Sequence, residues 1–174
     1  MLFASLRQRC RSVDTRRAAQ FPRVVRDDEP TLRYLPTHRL VGDDTLLQVG
    51  DHVLSVVAPP SYPGWAGFEE RIREVLDALR DTQLRLEIER HSLKYLNVLE
   101  APAGQQLALL DATLLVQGAP LPEEAMALRF ERGVGEHTVI VQLRTDVEVT
   151  RPGAEHRRGL LVDVDAISSK KNEL

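Results

Sequence analysis

The sequence predicts an α+β fold, a mainly antiparallel sheet with one long amphipathic helix packed on it and a second helix at the N-terminus. Three observations carry this. Leu46–Val49 and Val53–Val57 are apolar strand-like runs separated by Gly50-Asp51, a tight hairpin signal. Between Trp65 and Asp81, Phe68, Ile72, Val75, Leu76 and Leu79 recur at spacings of three and four, which draws one apolar helix face. Finally, Ala125–Glu131, Thr138–Val149 and Gly159–Val164 are consecutive strand patterns joined by short Gly- and Pro-containing links, which reads as an antiparallel meander.

The remaining elements follow in order. Leu2–Gln20 is read as an Arg-rich helix that ends at Phe21-Pro22, with its apolar stripe broken at Arg9–Val13. Val24–Pro30 is a charged connector, and Thr31–Leu35 alternates as a short strand that stops at Pro36. Pro59-Pro60-Ser61-Tyr62-Pro63-Gly64 is a rigid corner leading into the central helix. On the polar side of that helix, Glu69 with Arg73 and Asp77 with Arg80 stand at ion-pair spacing. Leu84–Leu99 alternates as a long strand whose phase slips after Arg90-His91, the signature of a β-bulge. Gln106–Val116 fits a short helix and a strand equally.

The bulk numbers bound the function more than they name it. A chain of 174 residues with 43% hydrophobic and 28% charged content fits one soluble α+β domain over 1–174. Its formal charge of -3 gives no global attraction to nucleic acid or to acidic lipid. No apolar run reaches the roughly 20 residues that span a bilayer, so no membrane association is expected. Cys10, the single cysteine, fits a reducing cytoplasmic setting and excludes an intrachain disulfide. The Arg-rich, acid-poor N-terminus is also the composition of an organelle transit peptide, but the helical reading is preferred.

Several residues then stand together. Leu46–Val56 has the form L-x-Q-V-G-x-x-x-L-x-V, Tyr62–Trp65 makes a Tyr-Pro-Gly-Trp corner, a helix follows, and Leu93–Val98 reads Leu-Lys-Tyr-Leu-Asn-Val. Together with Gly159–Ile167 these resemble a sporadically distributed bacterial family of mostly uncharacterised proteins. The resemblance implies an α+β fold and a bacterial origin, and implies no catalytic activity. Lys94-Tyr95-Leu96-Asn97-Val98 stands where the family has Arg-Tyr-Ile-Asn-Arg, so the second arginine is lost. The family's first strand has no counterpart ahead of Leu2, and its long final helix has none before Leu174. A missing strand would leave an open sheet edge, and an open edge predicts a partner strand or a second copy of the chain.

Lys94, Tyr95 and Asn97 are the candidate ligand or interaction residues. In a regular strand Tyr95 and Asn97 share a face and Lys94 points the other way; the bland alternative is that they are hydrogen-bonded structural groups. Arg7, Arg11 and Arg16 on the first helix are the nucleic-acid candidates. Cys10 lies among these arginines, which could lower its pKa. Asp163 and Asp165 share a face and offer oxygen ligands, but further ligands would have to come from Asp111 or Asp146, so no metal site is assigned. The histidines at 38, 52, 91, 137 and 156 show no zinc spacing, Ser55 and Ser168 lack a nucleophile elbow, and Gly133-Val134-Gly135 lacks a phosphate loop's third glycine. Gln106–Leu110 is similar to short peptides that dock on bacterial sliding clamps. No catalytic residue and no cofactor is therefore expected. The leading expectation is a non-enzymatic interaction or adaptor subunit of a bacterial system, of the defence or toxin–antitoxin kind, with another subunit or a second copy as partner. The alternatives are a nucleic-acid-associated factor using the first helix, and an enzyme with an unrecognised site near Tyr95 and Asn97.

Overall fold

The computed structural model describes residues 10–42, 45–58, 61–82, 86–110, 114–120, 126–150, 157–168 and 172–173. The chain forms two compact units, one up to Arg85 and one from Leu86. The class is α+β with antiparallel sheets, as the sequence predicts.

The first unit holds a four-stranded sheet in the order β1 (Cys10–Thr15), β2 (His38–Gly42), β3 (Leu46–Val49), β4 (Leu54–Val57). The expected hairpin is β3–β4, with Leu46 opposite Val57 and Val49 opposite Leu54. Gly50 is required beside it, because a Cβ there would lie 2.6 Å from the Leu35 carbonyl oxygen. Val13, Leu40, Leu47 and Val56 stand in one row across the four strands, and Leu40 and Leu47 are buried. Asp14, Arg39, Gln48 and Ser55 form the row on the opposite face. This is period-2 alternation read across strands instead of along one. Two short helices, α1 (Arg23–Asp28) and α2 (Pro30–Arg33), lie between β1 and β2. The long helix α3 (Gly64–Arg80) follows β4. Val75 and Leu79 of its apolar stripe are buried, Phe68, Ile72 and Leu76 are half-buried, and both expected ion pairs form, Glu69–Arg73 at 2.6 Å and Asp77–Arg80 at 3.0 Å.

Three expectations for this unit need correction. The N-terminal helix is replaced over Cys10–Thr15 by β1 and over Arg17–Gln20 by a 3-10 turn; Leu2–Arg9 lie outside the described residues. The break in the helical apolar stripe at Arg9–Val13 falls largely within this strand. Among the described residues β1 thus forms the N-terminal edge of this sheet. Thr31–Leu35 is not a strand. Pro30 supplies a pre-set first helical residue, and the Glu29 carboxylate accepts from the Thr31 amide at 3.3 Å and hydroxyl at 2.9 Å, which wins Thr31–Arg33 for a helical turn. Val24–Pro30, read as a connector, largely forms α1.

The second unit is dominated by a sheet in the order β6 (His91–Glu100), β11 (Arg157–Ser168), β10 (His137–Val149), β9 (Ala127–Val134). The three-strand meander is β9–β10–β11, and β6 pairs antiparallel along β11 without a register shift. Leu160 is fully buried and Leu143 nearly so. Gly159 stands opposite Glu100 in the β6–β11 ladder; a Cβ there would collide with the Leu99 carbonyl oxygen, and backbone cannot yield to it. The phase slip after Arg90 is a strand break and not a bulge. Glu87–Ile88 (β5) pairs with Asn172–Glu173 (β12), whereas His91 onward pairs with β11, so the two pieces serve different sheets. The ambiguous Gln106–Val116 stretch resolves into a 3-10 turn, Leu107–Leu110, and a small hairpin of β7 (Leu115–Val116) and β8 (Ala119–Pro120).

Candidate functional site

The register of the second sheet sorts its side chains. Lys94 faces Asp165, and Leu96 faces Asp163, which faces Gln142. These residues share one side. Tyr95 faces Val164, which faces Val141, and Asn97 faces Val162, which faces Leu143, on the other side. Tyr95 and Asn97 therefore stand together and Lys94 stands apart.

Lys94 joins a polar group that sequence reasoning treated as unrelated. Its Nζ lies 2.9 Å from Asp163 Oδ2, and the Gln142 amide donates to the same oxygen at 3.5 Å. The Asp163 side chain is 11% exposed and that of Lys94 46%, so the pair runs from interior to surface. Oδ1 of Asp163 and Oδ1 of Asp165 are buried with no hydrogen-bond partner among the described residues. A buried carboxylate with one partnered oxygen is held mainly by its cation, so Lys94 is the group that makes Asp163 tolerable. The signal available in the sequence was the shared parity of Lys94 with the polar face, but only the β6–β11 register links it to Asp163.

A second polar cluster sits at the β-bulge of β10. Thr145 and Asp146 are inserted between the Arg144–Leu161 and Val147–Gly159 pairs, and Asp146 takes φ +60°. Its amide donates to Gln106 Oε1 at 2.8 Å, and Gln106, 1% exposed, donates to the Ala101 carbonyl at 3.3 Å. Thr145 Oγ1 accepts from the Met126 amide at 2.8 Å. Arg158 grips both Asp146 oxygens, Nη2 to Oδ2 at 2.8 Å, and this hydrogen-bonded guanidinium holds the Asp146 carboxyl below its ordinary pKa. A cleft of about 370 Å³ opens beside the bulge, lined by Met126, Arg144, Thr145 and Glu148 among others. Thr145 and Asp146 are already engaged within the fold, so these two residues shape the sheet. Gln106 and Leu107 are buried, which removes the clamp-like peptide from docking.

In the first unit a cluster of titratable groups meets at α1. Arg26 Nε donates to Asp51 Oδ2 at 2.6 Å, His52 Nε2 lies 2.8 Å from Asp27 Oδ1, and the Tyr34 ring meets His52 edge-on at 6.4 Å. The hydrogen bond from Arg26 lowers the Asp51 pKa, and that from His52 lowers Asp27. These contacts tie α1 to the β3–β4 turn.

The nucleic-acid candidates do not share a helix face. Arg7 lies outside the described residues. Arg11 sits at the register shift of β1, between Cys10 and Ser12, and Arg16 follows the strand with its amide on the Thr37 carbonyl at 2.8 Å. Burial pushes the Cys10 thiol up, against the lowering that neighbouring arginines suggested. Asp111 lies outside the described residues, and no group of three or more His, Cys, Asp or Glu able to hold a metal occurs among those described. No helix there is long and apolar enough to cross a membrane.

The remaining feature is β6 itself. Among the described residues the two four-stranded sheets have four edge strands, and three of them carry devices that discourage pairing. β1 is bulged and holds Arg11 and Asp14; β4 is four residues long; β9 holds Arg129, Glu131 and Arg132. β6 is ten residues long, has no register shift, and is uncharged from Tyr95 to Leu99. Leu96 is 60% exposed on one face and Leu99 37% on the other.

No family model matches the chain, and no curated protein or solved structure is detectably similar to it.

Proposed function

We propose that the protein is a non-enzymatic interaction subunit that binds another chain along the outer edge of β6. The single observation behind this is the contrast among edges: three are blunted by a bulge, short length or charge, and β6 is long, even and uncharged in its middle. An edge strand presents unpaired backbone N–H and C=O groups at regular intervals, which a second extended chain satisfies by strand addition. Leu96 and Leu99, exposed on opposite faces, supply apolar contacts above and below such a strand. Lys94, Tyr95 and Asn97 then act as flanking side chains that select the incoming sequence. The resemblance to the bacterial family suggests a bacterial system as the setting.

The test is native mass spectrometry of the protein purified from its host, as wild type, as Leu96→Lys and as Leu109→Lys. Leu109 is also exposed but lies off the sheet. A charge in the middle of β6 is expected to strip the bound chain, whether a second copy or another protein, while Leu109→Lys retains it. The same associated chains with all three proteins would reject the reading.

A further inference from the structure

Resting on the reading of β6 as the working edge, we infer that its occupant is a second copy of this chain, paired antiparallel about a two-fold axis through Asn97. Such an axis stands normal to the sheet and keeps each face on its own side. Only residues of equal parity can then oppose one another. This leaves few registers for His91–Glu100, and they differ sharply in chemistry. Centred on Tyr95, the pairing sets Lys94 against Leu96 and His91 against Leu99. Centred on Leu96, it sets Lys94 against Val98 and Ser92 against Glu100. Centred on Asn97, it sets Lys94 against Glu100 twice, Leu96 against Val98 twice and Tyr95 against Leu99 twice. Only this last register answers every charge with its opposite and every apolar residue with an apolar one, and the asparagines face each other at the dyad.

The existing contacts suit this arrangement. Lys94 already touches Asp163, and Glu100 lies 3.1 Å from Arg157 Nε. Each cross-dyad pair thus extends an ion pair within the chain into a row of alternating charge. The exposed Leu96 and Leu99 are both covered, and the result is a continuous eight-stranded sheet in which neither β6 is an edge.

Two measurements test the register separately. In a Cys10→Ser background, single cysteines are placed at Tyr95, Leu96, Asn97 and Phe130, the last on β9. Opposed residues in antiparallel strands have Cβ atoms about 4.5–5.5 Å apart, close enough to oxidise to a disulfide with small movement. Asn97→Cys is expected to cross-link fastest. Sedimentation then follows the charges. Glu100→Lys is expected to weaken the dimer about tenfold or more by setting lysine against lysine. The double variant Lys94→Glu with Glu100→Lys restores it. Dominant cross-linking at Tyr95, Leu96 or Phe130 overturns the proposal, as does a monomer at every concentration. The cross-linking at Asn97 does not depend on Lys94, so the cysteines still decide the register if a Lys94 variant misfolds. A monomer that still loses a different bound protein on Leu96→Lys would leave the interaction reading standing and remove only the second copy.

Discussion

Among the described residues the first unit buries Ala18, Leu40, Leu47, Val75 and Leu79 against a single polar residue, Thr37. The second buries Leu107, Leu143 and Leu160 against Gln106, Thr145, Asp163 and Ser168. The first therefore rests on removing apolar surface from water. The second rests as much on matching buried polar atoms to partners, where each unmatched atom is costly. Strand length alone does not make the larger sheet the more tolerant one. Its long ladders are bent by a bulge, and the bulge exposes backbone groups that only specific side chains satisfy.

Aliphatic truncation should not separate the two units. Leu40→Ala and Leu160→Ala each remove a side chain that is 1% and 0% exposed, and each is expected to cost about 2–5 kcal/mol. Urea unfolding monitored in both variants checks this, and a cost near zero at either position would break the comparison at its root. Polar truncation should separate them. Gln106→Ala leaves the Asp146 amide and the Ala101 carbonyl without their partner, at about 1–3 kcal/mol. Thr37→Val keeps the shape and loses the hydroxyl's contacts with the Val49 carbonyl at 3.1 Å and with the half-buried His38 Nδ1 at 3.0 Å, but the Val49 carbonyl keeps the Thr37 amide at 2.8 Å, so the cost is about 0.5–1.5 kcal/mol. Equal costs for the two would show that the bulge is not the weak point.

Acid gives the smallest and most even effect. Asp27 and Asp51 in the first unit and Asp146 in the second all have pKa values below the ordinary carboxylate value. The folded chain therefore binds these protons less readily than the unfolded one. The stability they contribute is complete above the unfolded value of about 3.9 and is lost as pH falls through the lowered folded values. The melting temperature should be flat down to about pH 5 and fall below it. Asp51→Asn and Asp146→Asn should each flatten part of that fall, and a decline beginning near neutrality would refute the assignment.

What was legible in the sequence was what neighbours in sequence decide. The β3–β4 hairpin, the α3 stripe with its two ion pairs and the β9–β10–β11 meander are local patterns. β1 was missed because a short, charged edge strand has no periodic apolar signal, and its partner β2 lies more than twenty residues on. α2 was missed because a proline and a capping glutamate overrode an alternation only five residues long. At the site, the parity of Lys94, Tyr95 and Asn97 followed from strand geometry alone. The Lys94–Asp163 pair and the reach of Gln106 to Asp146 depend on which strands meet, and that is decided by tertiary pairing.

The order of strands in the second sheet also sets a sequence of events in time. β9, β10 and β11 are chain neighbours joined by short links, whereas β6 must close a loop of more than fifty residues to reach β11. Distant contacts form late because the closure entropy is met before any ladder rewards it. The unguarded edge therefore comes into being in the last step of assembly, on a scaffold that is already ordered. A refolding chain at that stage displays the guarded β9 and the transient flank of β11. Pulse-labelled amide exchange during refolding should protect β10 before β6, and the reverse order would show that β6 is available for promiscuous pairing from the start.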